Sequence, residues 1–124
     1  MLINFSNHPY DRWSEKQKEA AKVYGGAVDL AFPAVPGMAD ESQIKAIALD
    51  SIEKIIELID GDPKSAVMVQ GEFTLTYAVV SILLERGIRA VSACSDRRVL
   101  EEEDETGKIV KTVVFDFERF REYR

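Results

Sequence analysis

The sequence predicts an α/β fold: a single small three-layer sandwich, with a mainly parallel sheet that ends in an antiparallel hairpin. Three observations carry that expectation. Short apolar runs alternate with helical patterns through the first three units, which implies parallel strands with helices packed on the sheet faces. The run "SAVMVQ", Ser65 to Gln70, is apolar on both faces, as a central parallel strand is. From Val99 onward the pattern becomes that of two strands around a Thr106-Gly107 turn.

The elements follow in order. Leu2 to Phe5 reads as a short strand, and "SNHPYDRW" after it as a loop by its Asn, Pro and Asp content. Ser14 with Gln17 three residues on is a capping-box pattern, so a helix starts there. It ends at Tyr24, where Gly25 and Gly26 supply a stop. Ala27 to Phe32 is a second strand, closed by "PAVPG". Asp40 with Gln43 opens the clearest amphipathic helix, with Ile44, Ile47, Ala48, Ile52, Ile55, Ile56 and Ile59 on one face and "DGDP" at its end. The helix after the third strand turns Leu75, Ala78, Val79, Ile82 and Leu83 inward and stops at Gly87. Arg89 to Cys94 is the fourth strand, and the hairpin extends the sheet at one edge. With right-handed crossovers this is a Rossmann-like or flavodoxin-like domain over residues 1–124.

Composition narrows the function classes. A chain of 124 residues, 46% hydrophobic and 31% charged, fits one globular domain with a real core. No apolar run approaches the roughly 20 residues that span a bilayer, so no membrane partner is expected. The first residues lack a signal peptide's basic segment and cleavage site, and a cytoplasmic location is the default. One cysteine, Cys94, excludes an internal disulfide and a multi-cysteine zinc site, and neither metal nor cofactor is expected. The net charge of −6 argues against broad binding to DNA or RNA. It leaves room for a small anion held by a few local cations and amides. The acidic run Glu101 to Glu105 reads as a solvated hairpin tip.

Ligands in open parallel sheets bind at the carboxyl ends of the strands, near the point where strand order reverses. Four loops leave those ends: Ser6-Asn7-His8-Pro9, Pro33 to Gly37, Gln70-Gly71-Glu72-Phe73-Thr74, and Ser95-Asp96-Arg97-Arg98. Gly71 would let the backbone approach a phosphate, with Thr74 or Thr76 donating to it, although Thr74 could equally cap the helix. His8, the only histidine, is either a plain loop residue or an acid at a leaving oxygen. Arg97 and Arg98 are either phosphate holders or a solvated pair that offsets the acidic tip. Glu72 reads as a partner for a ribose hydroxyl or for an arginine. Cys94 is more readily a small core hydrophobe than a nucleophile beside His8. Trp13 and Tyr77 suit core packing better than base stacking.

Three blocks, "INFSNHP" with "WSEKQ", "VQGEFTLTYAVV", and "TVVFDFERFREY", resemble in the same order the small stand-alone CRISPR-associated Rossmann-fold (CARF-like) proteins, some of which are ring nucleases. The likeness spans nearly the whole chain. It implies a homodimer that binds cyclic oligoadenylate across its two-fold axis. It also implies metal-independent cleavage of that messenger by attack of a ribose 2′-hydroxyl, ending type III CRISPR signalling. Carried over by position, Asn7 and His8 fall in the first loop, and Gly71, Glu72, Thr74 and Thr76 at the third, while Ser6, Gln70 and Ser95 are candidates as members of the same strand-end loops. Arg97 or Arg98 follows the fourth, where "ACSDRR" replaces an expected threonine-rich segment. His8, Arg97 and Arg98 are the catalytic candidates and the others the ligand-binding ones. The competing readings are a non-catalytic binder of the same ligand, and a small interaction domain whose sheet edge or "FERFREYR" tail docks a partner. That tail fits a final sheet strand equally well.

Overall fold

A computed structural model describes residues 1–124. The order is β1 (Leu2–Ser6), a 3-10 turn (Tyr10–Arg12), α1 (Glu15–Ala21) with a 3-10 extension (Lys22–Tyr24), β2 (Ala27–Ala31), α2 (Glu41–Ile59), β3 (Ala66–Gln70), α3 (Phe73–Glu85), β4 (Ala90–Glu103) and β5 (Ile109–Glu122). The strands form one sheet in the order β2-β1-β3-β4-β5. The first four run parallel, and β5 returns antiparallel to β4. This is the flavodoxin-like order, with its switch point between β1 and β3.

Local chemistry sets the helix starts. The Ser14 hydroxyl accepts from the Gln17 amide at 3.2 Å. Asp40 and Gln43 form a reciprocal capping box, at 2.9 Å and 2.8 Å. Helix α2 ends where Asp60 turns left-handed, at φ 46°.

Alternation along β1 divides the core in two. Ile3 and Phe5 face α2 and α3 together with Val67, Val69, Ile52 and Leu83. Leu2 and Met68 face α1 with Trp13, Ala21 and Val91. Of the expected α2 stripe, Ile56 sits outside the core and is exposed.

The fourth strand departs from the sequence expectation. No loop follows Cys94: Ser95, Asp96, Arg97 and Arg98 continue β4 and pair with Phe117, Asp116, Phe115 and Val114. Beside β3, however, β4 is paired only at Ala90 and Val91. Continuing that register would join the Ala93 amide to the Val69 carbonyl. Instead Gln70 Oε1 accepts from the Ala93 amide at 2.8 Å, and the Tyr123 hydroxyl donates to the Val69 carbonyl at 2.9 Å. Two side chains thereby satisfy the groups that the diverging strands leave behind.

The hairpin carries one irregularity. Cys94 pairs with Arg119 and Ser95 with Phe117, which leaves Glu118 as an extra residue in β5. The bulge puts Phe117 and Phe120 on the same face, their rings 5.0 Å apart, and Phe120 meets Trp13 at 6.0 Å and Tyr24 at 6.2 Å. Lys16 adds an ion pair to Glu118. Helix α1 is thereby fastened to β5 by an aromatic seam.

Gly71 has a structural reason that the sequence did not disclose. A Cβ there would lie 2.5 Å from two ring carbons of Phe32, and its φ is not left-handed. The ring stacks over the glycine on the α2/α3 side, against Phe5 at 4.9 Å. Gly71→Ala is therefore expected to lower stability by about 1–3 kcal/mol through overpacking. Phe32→Leu added to it should recover part of that loss, read as a positive coupling in urea melts. Additive losses would mean that the ring is not what requires the glycine.

Candidate functional site

The loop after β1 is held by a buried polar network. Asn4, 1% exposed, donates through Nδ2 to the His8 carbonyl at 2.7 Å and to Asp29 Oδ1 at 2.8 Å. The Ser6 hydroxyl donates to Asn4 Oδ1 at 2.6 Å and accepts from the His8 amide at 3.1 Å. Trp13 Nε1 donates to the same His8 carbonyl at 3.0 Å, and Asp29 accepts from the Tyr10 amide. Every polar atom of Asn4's amide is thus employed, as a buried amide requires. The result is a fixed backbone at His8. Its imidazole makes no hydrogen bond within the protein.

That ring lines a cleft of about 790 Å³ on the α1 face of the sheet. Met68, Gln70, Ala93 and Ser95 line it from the strands that diverge, with Arg12, Ser14 and Gln17 on one side and Phe115 and Phe117 on the other. The Arg12 guanidinium has no acidic partner. Phe115 is 68% exposed although it belongs to a strand. Directly opposed residues of an antiparallel pair share a face, so Arg97, opposite Phe115, stands on the cleft side of the hairpin.

The expected site residues divide sharply. His8, Gln70 and Ser95 come together at the cleft. Gln70 is committed to bridging β3 and β4, and Ser6 is buried in the Asn4 network. Asn7 is exposed on the loop and does not line the cleft. Arg98 opposes Val114 on the far face and pairs with Asp116 at 2.9 Å, so its expected place at the site is corrected. Cys94 faces away from Ala93 and hence from His8, and no Cys-His pair forms.

The Gly71 loop is corrected as well. Glu72 caps α3 with its own carboxylate, accepting from the Leu75 amide at 2.8 Å and the Thr74 amide at 3.0 Å. The Thr74 hydroxyl donates to the same carboxylate at 2.7 Å. An anion would have to displace this acid to reach the helix amides, so the loop is a closed cap and not an open phosphate cradle. Thr74 borders a separate apolar groove between α2 and α3, with Phe73 and Tyr77 exposed on its rim at 88% and 77%. The Thr76 hydroxyl is buried without a partner.

Sequence reasoning missed Arg12, Gln17, Phe115 and Phe117 as cleft residues. The signal for Arg12 was present: it precedes Trp13 in a loop leaving a strand's carboxyl end. That for Phe115 was not, because it depends on the length of β4.

The fold and cleft define an α/β domain of flavodoxin-like strand order, with a polar and aromatic cleft beside its switch point. More particularly, the chain belongs to the family described as Uncharacterized protein MJ1673 family, whose model matches residues 1–121. Searches of curated proteins and of solved structures returned no match.

The Leu75 amide, the Thr74 hydroxyl and the Thr74 amide hold the Glu72 carboxyl below the ordinary glutamate range. A depressed pKa in the folded state means that the cap's contribution is complete above the unfolded pKa and is lost as pH falls through the folded one. Glu72→Ala should therefore melt below the parent at pH 7. The gap should narrow as pH falls to about 3. A gap that stays constant across this range would assign the residue's role to something other than its charge.

Proposed function

We propose that this protein binds cyclic oligoadenylate, most simply cyclic tetra-adenylate, in the His8 cleft and opens the ring without a metal. The observation that carries the reading is the pairing, in one cleft, of the unpartnered Arg12 guanidinium and the His8 imidazole with an exposed aromatic wall, with Arg97 on the same face of the hairpin as Phe115. Arg12 and Arg97 suit phosphate, Phe115 offers a face on which adenine stacks, and His8 is placed on a rigid backbone. The sequence resemblance to CARF-like proteins supplies the ligand class. Such a domain would end a cyclic oligoadenylate signal in type III CRISPR defence.

In the proposed reaction a ribose 2′-oxygen forms a bond to the adjacent phosphorus, and the bond from phosphorus to the 5′-oxygen breaks. The 2′-proton passes to solvent water, the departing 5′-oxygen gains a proton from His8, and a 2′,3′-cyclic phosphate remains. The arginines would offset charge that builds on the phosphoryl oxygens. Relative to the sequence expectation, the anion-holding role passes from the Gly71 loop and Arg98 to Arg12 and Arg97.

Incubation with cyclic tri-, tetra- and hexa-adenylate, with and without EDTA, followed by chromatography, tests the reading. Linear products that persist in EDTA are expected. His8→Ala should slow cleavage by about 10²–10⁴-fold while the ring still binds. Arg12→Ala should weaken binding by about 10-fold or more. A tightly held but intact ring would identify a binder that sequesters the messenger, and no binding of any ring would sink both versions.

A further inference from the structure

We infer that a cleft at the amino end of β4 is a second anion site, built for a chain of two or more linked phosphates. It lies apart from the His8 cleft and does not rest on the ligand proposed there.

This cleft, of about 480 Å³, opens on the α1 face beside the end of β5. Four of the chain's eight arginines, Arg89, Arg119, Arg121 and Arg124, line it against a single carboxylate, that of Glu122. In a chain of net charge −6 this gathers positive charge into one concave place. Glu122 is itself taken by Arg124 at 3.3 Å, and nearby Glu118 is turned to Lys16. Arg89, Arg119 and Arg121 have no acidic partner, so their three charges stand uncompensated around the cleft.

Two of the three are oriented before any ligand arrives. The Arg89 guanidinium lies over the Tyr24 ring at 5.7 Å and donates through Nη2 to the Lys64 carbonyl at 3.1 Å. Its Nε and Nη1 are left for a ligand. Arg119 donates through Nε to the Phe120 carbonyl at 3.1 Å, which leaves both of its Nη groups. A guanidinium fork held in place meets phosphate oxygens in bidentate fashion and loses little side-chain entropy on binding. One phosphate cannot answer three such charges, whereas a di- or triphosphate can. The aromatic rings of the cleft are already engaged: Arg89 covers a face of Tyr24, and Phe120 packs against Tyr24 and Phe117. No base is therefore read, only the phosphate chain, whether free or carried by a nucleoside. The Phe117–Phe120 pair also stands between the two clefts, Phe117 lining the first and Phe120 the second.

Titration calorimetry with inorganic tripolyphosphate, in EDTA and about 50 mM salt, should show saturable binding. Nitrogen-resolved NMR shifts should centre on Arg119–Arg124 and the Arg89 Nε. ATP should bind within about 3-fold of tripolyphosphate, and AMP about 10-fold or more weaker. Arg119→Gln with Arg121→Gln, both at exposed positions, should weaken tripolyphosphate by about 100-fold while the circular dichroism spectrum is retained. Arg89→Lys keeps the charge but not the fork, and should weaken it by about 10-fold. No binding at this salt, shifts centred on the His8 loop, or parental affinity in either variant would overturn the inference. So would a single-stranded oligouridylate that binds about 100-fold more tightly than tripolyphosphate, since the arginines would then be an RNA surface.

Discussion

The departure of β4 from β3 is the constraint on which the rest of this structure turns. A parallel ladder that stopped abruptly would leave the Ala93 amide and the Val69 carbonyl unpaired, each at about 1–3 kcal/mol if buried without a partner. Gln70 and Tyr123 remove that cost from opposite faces of the sheet. Because both groups are satisfied, β4 is free to swing away and open a gap between the strands. The cleft lies over that gap, and the hairpin arm is the continuation of the strand that made it. One event in the hydrogen-bond ladder therefore produces both the concave surface and the exposed edge.

The remaining walls of the cleft follow from two further devices. On one side, the Asn4 network fixes the His8 backbone at both its polar groups: the carbonyl accepts from Asn4 Nδ2 and Trp13 Nε1, and the amide donates to the Ser6 hydroxyl. Buried polar networks of this kind specify one conformation because a half-satisfied alternative costs more than either extreme. On the other side, the Glu118 bulge brings Phe117 round to the face of Phe120, where both meet the α1 aromatics. Each such ring pair contributes about 0.5–1.5 kcal/mol beyond its buried area. The loop and the arm are thus set independently, and Trp13 touches both.

The sequence made most of the fold readable because the periods were unambiguous. The capping residues Ser14 and Asp40, the α2 stripe and the apolar β3 run all lie where local pattern decides structure. The site was less readable, for reasons visible at single residues. Glu72 looked like a ligand group because sequence shows an acid at a helix start but not whether its oxygens fold back onto the amides. Gly71 looked like a phosphate contact because the ring that needs its missing Cβ is Phe32, on a different strand connection. Ser95 to Arg98 looked like a loop because their polarity is that of a solvated ribbon, which has no buried face to impose alternation. His8 was legible as a cleft residue by position alone, because it follows the end of β1, whereas Ser95 lines the cleft from within β4 and not from the strand end at which it was expected.

The arm also sets a gradient of rigidity across the molecule. Near Phe117 and Phe120 it is fastened to α1, and at Tyr123 to β3. Beyond Ser95 it is held by its own ladder and by surface ion pairs such as Arg98 with Asp116 and Lys111 with Glu101, which stabilise weakly when exposed. Local opening free energy should therefore fall from the bulge toward the tip. Phe115 stands at this boundary, one turn of alternation beyond the anchored Phe117. Whatever orders the outer ribbon also orders the cleft wall, because the same backbone carries both.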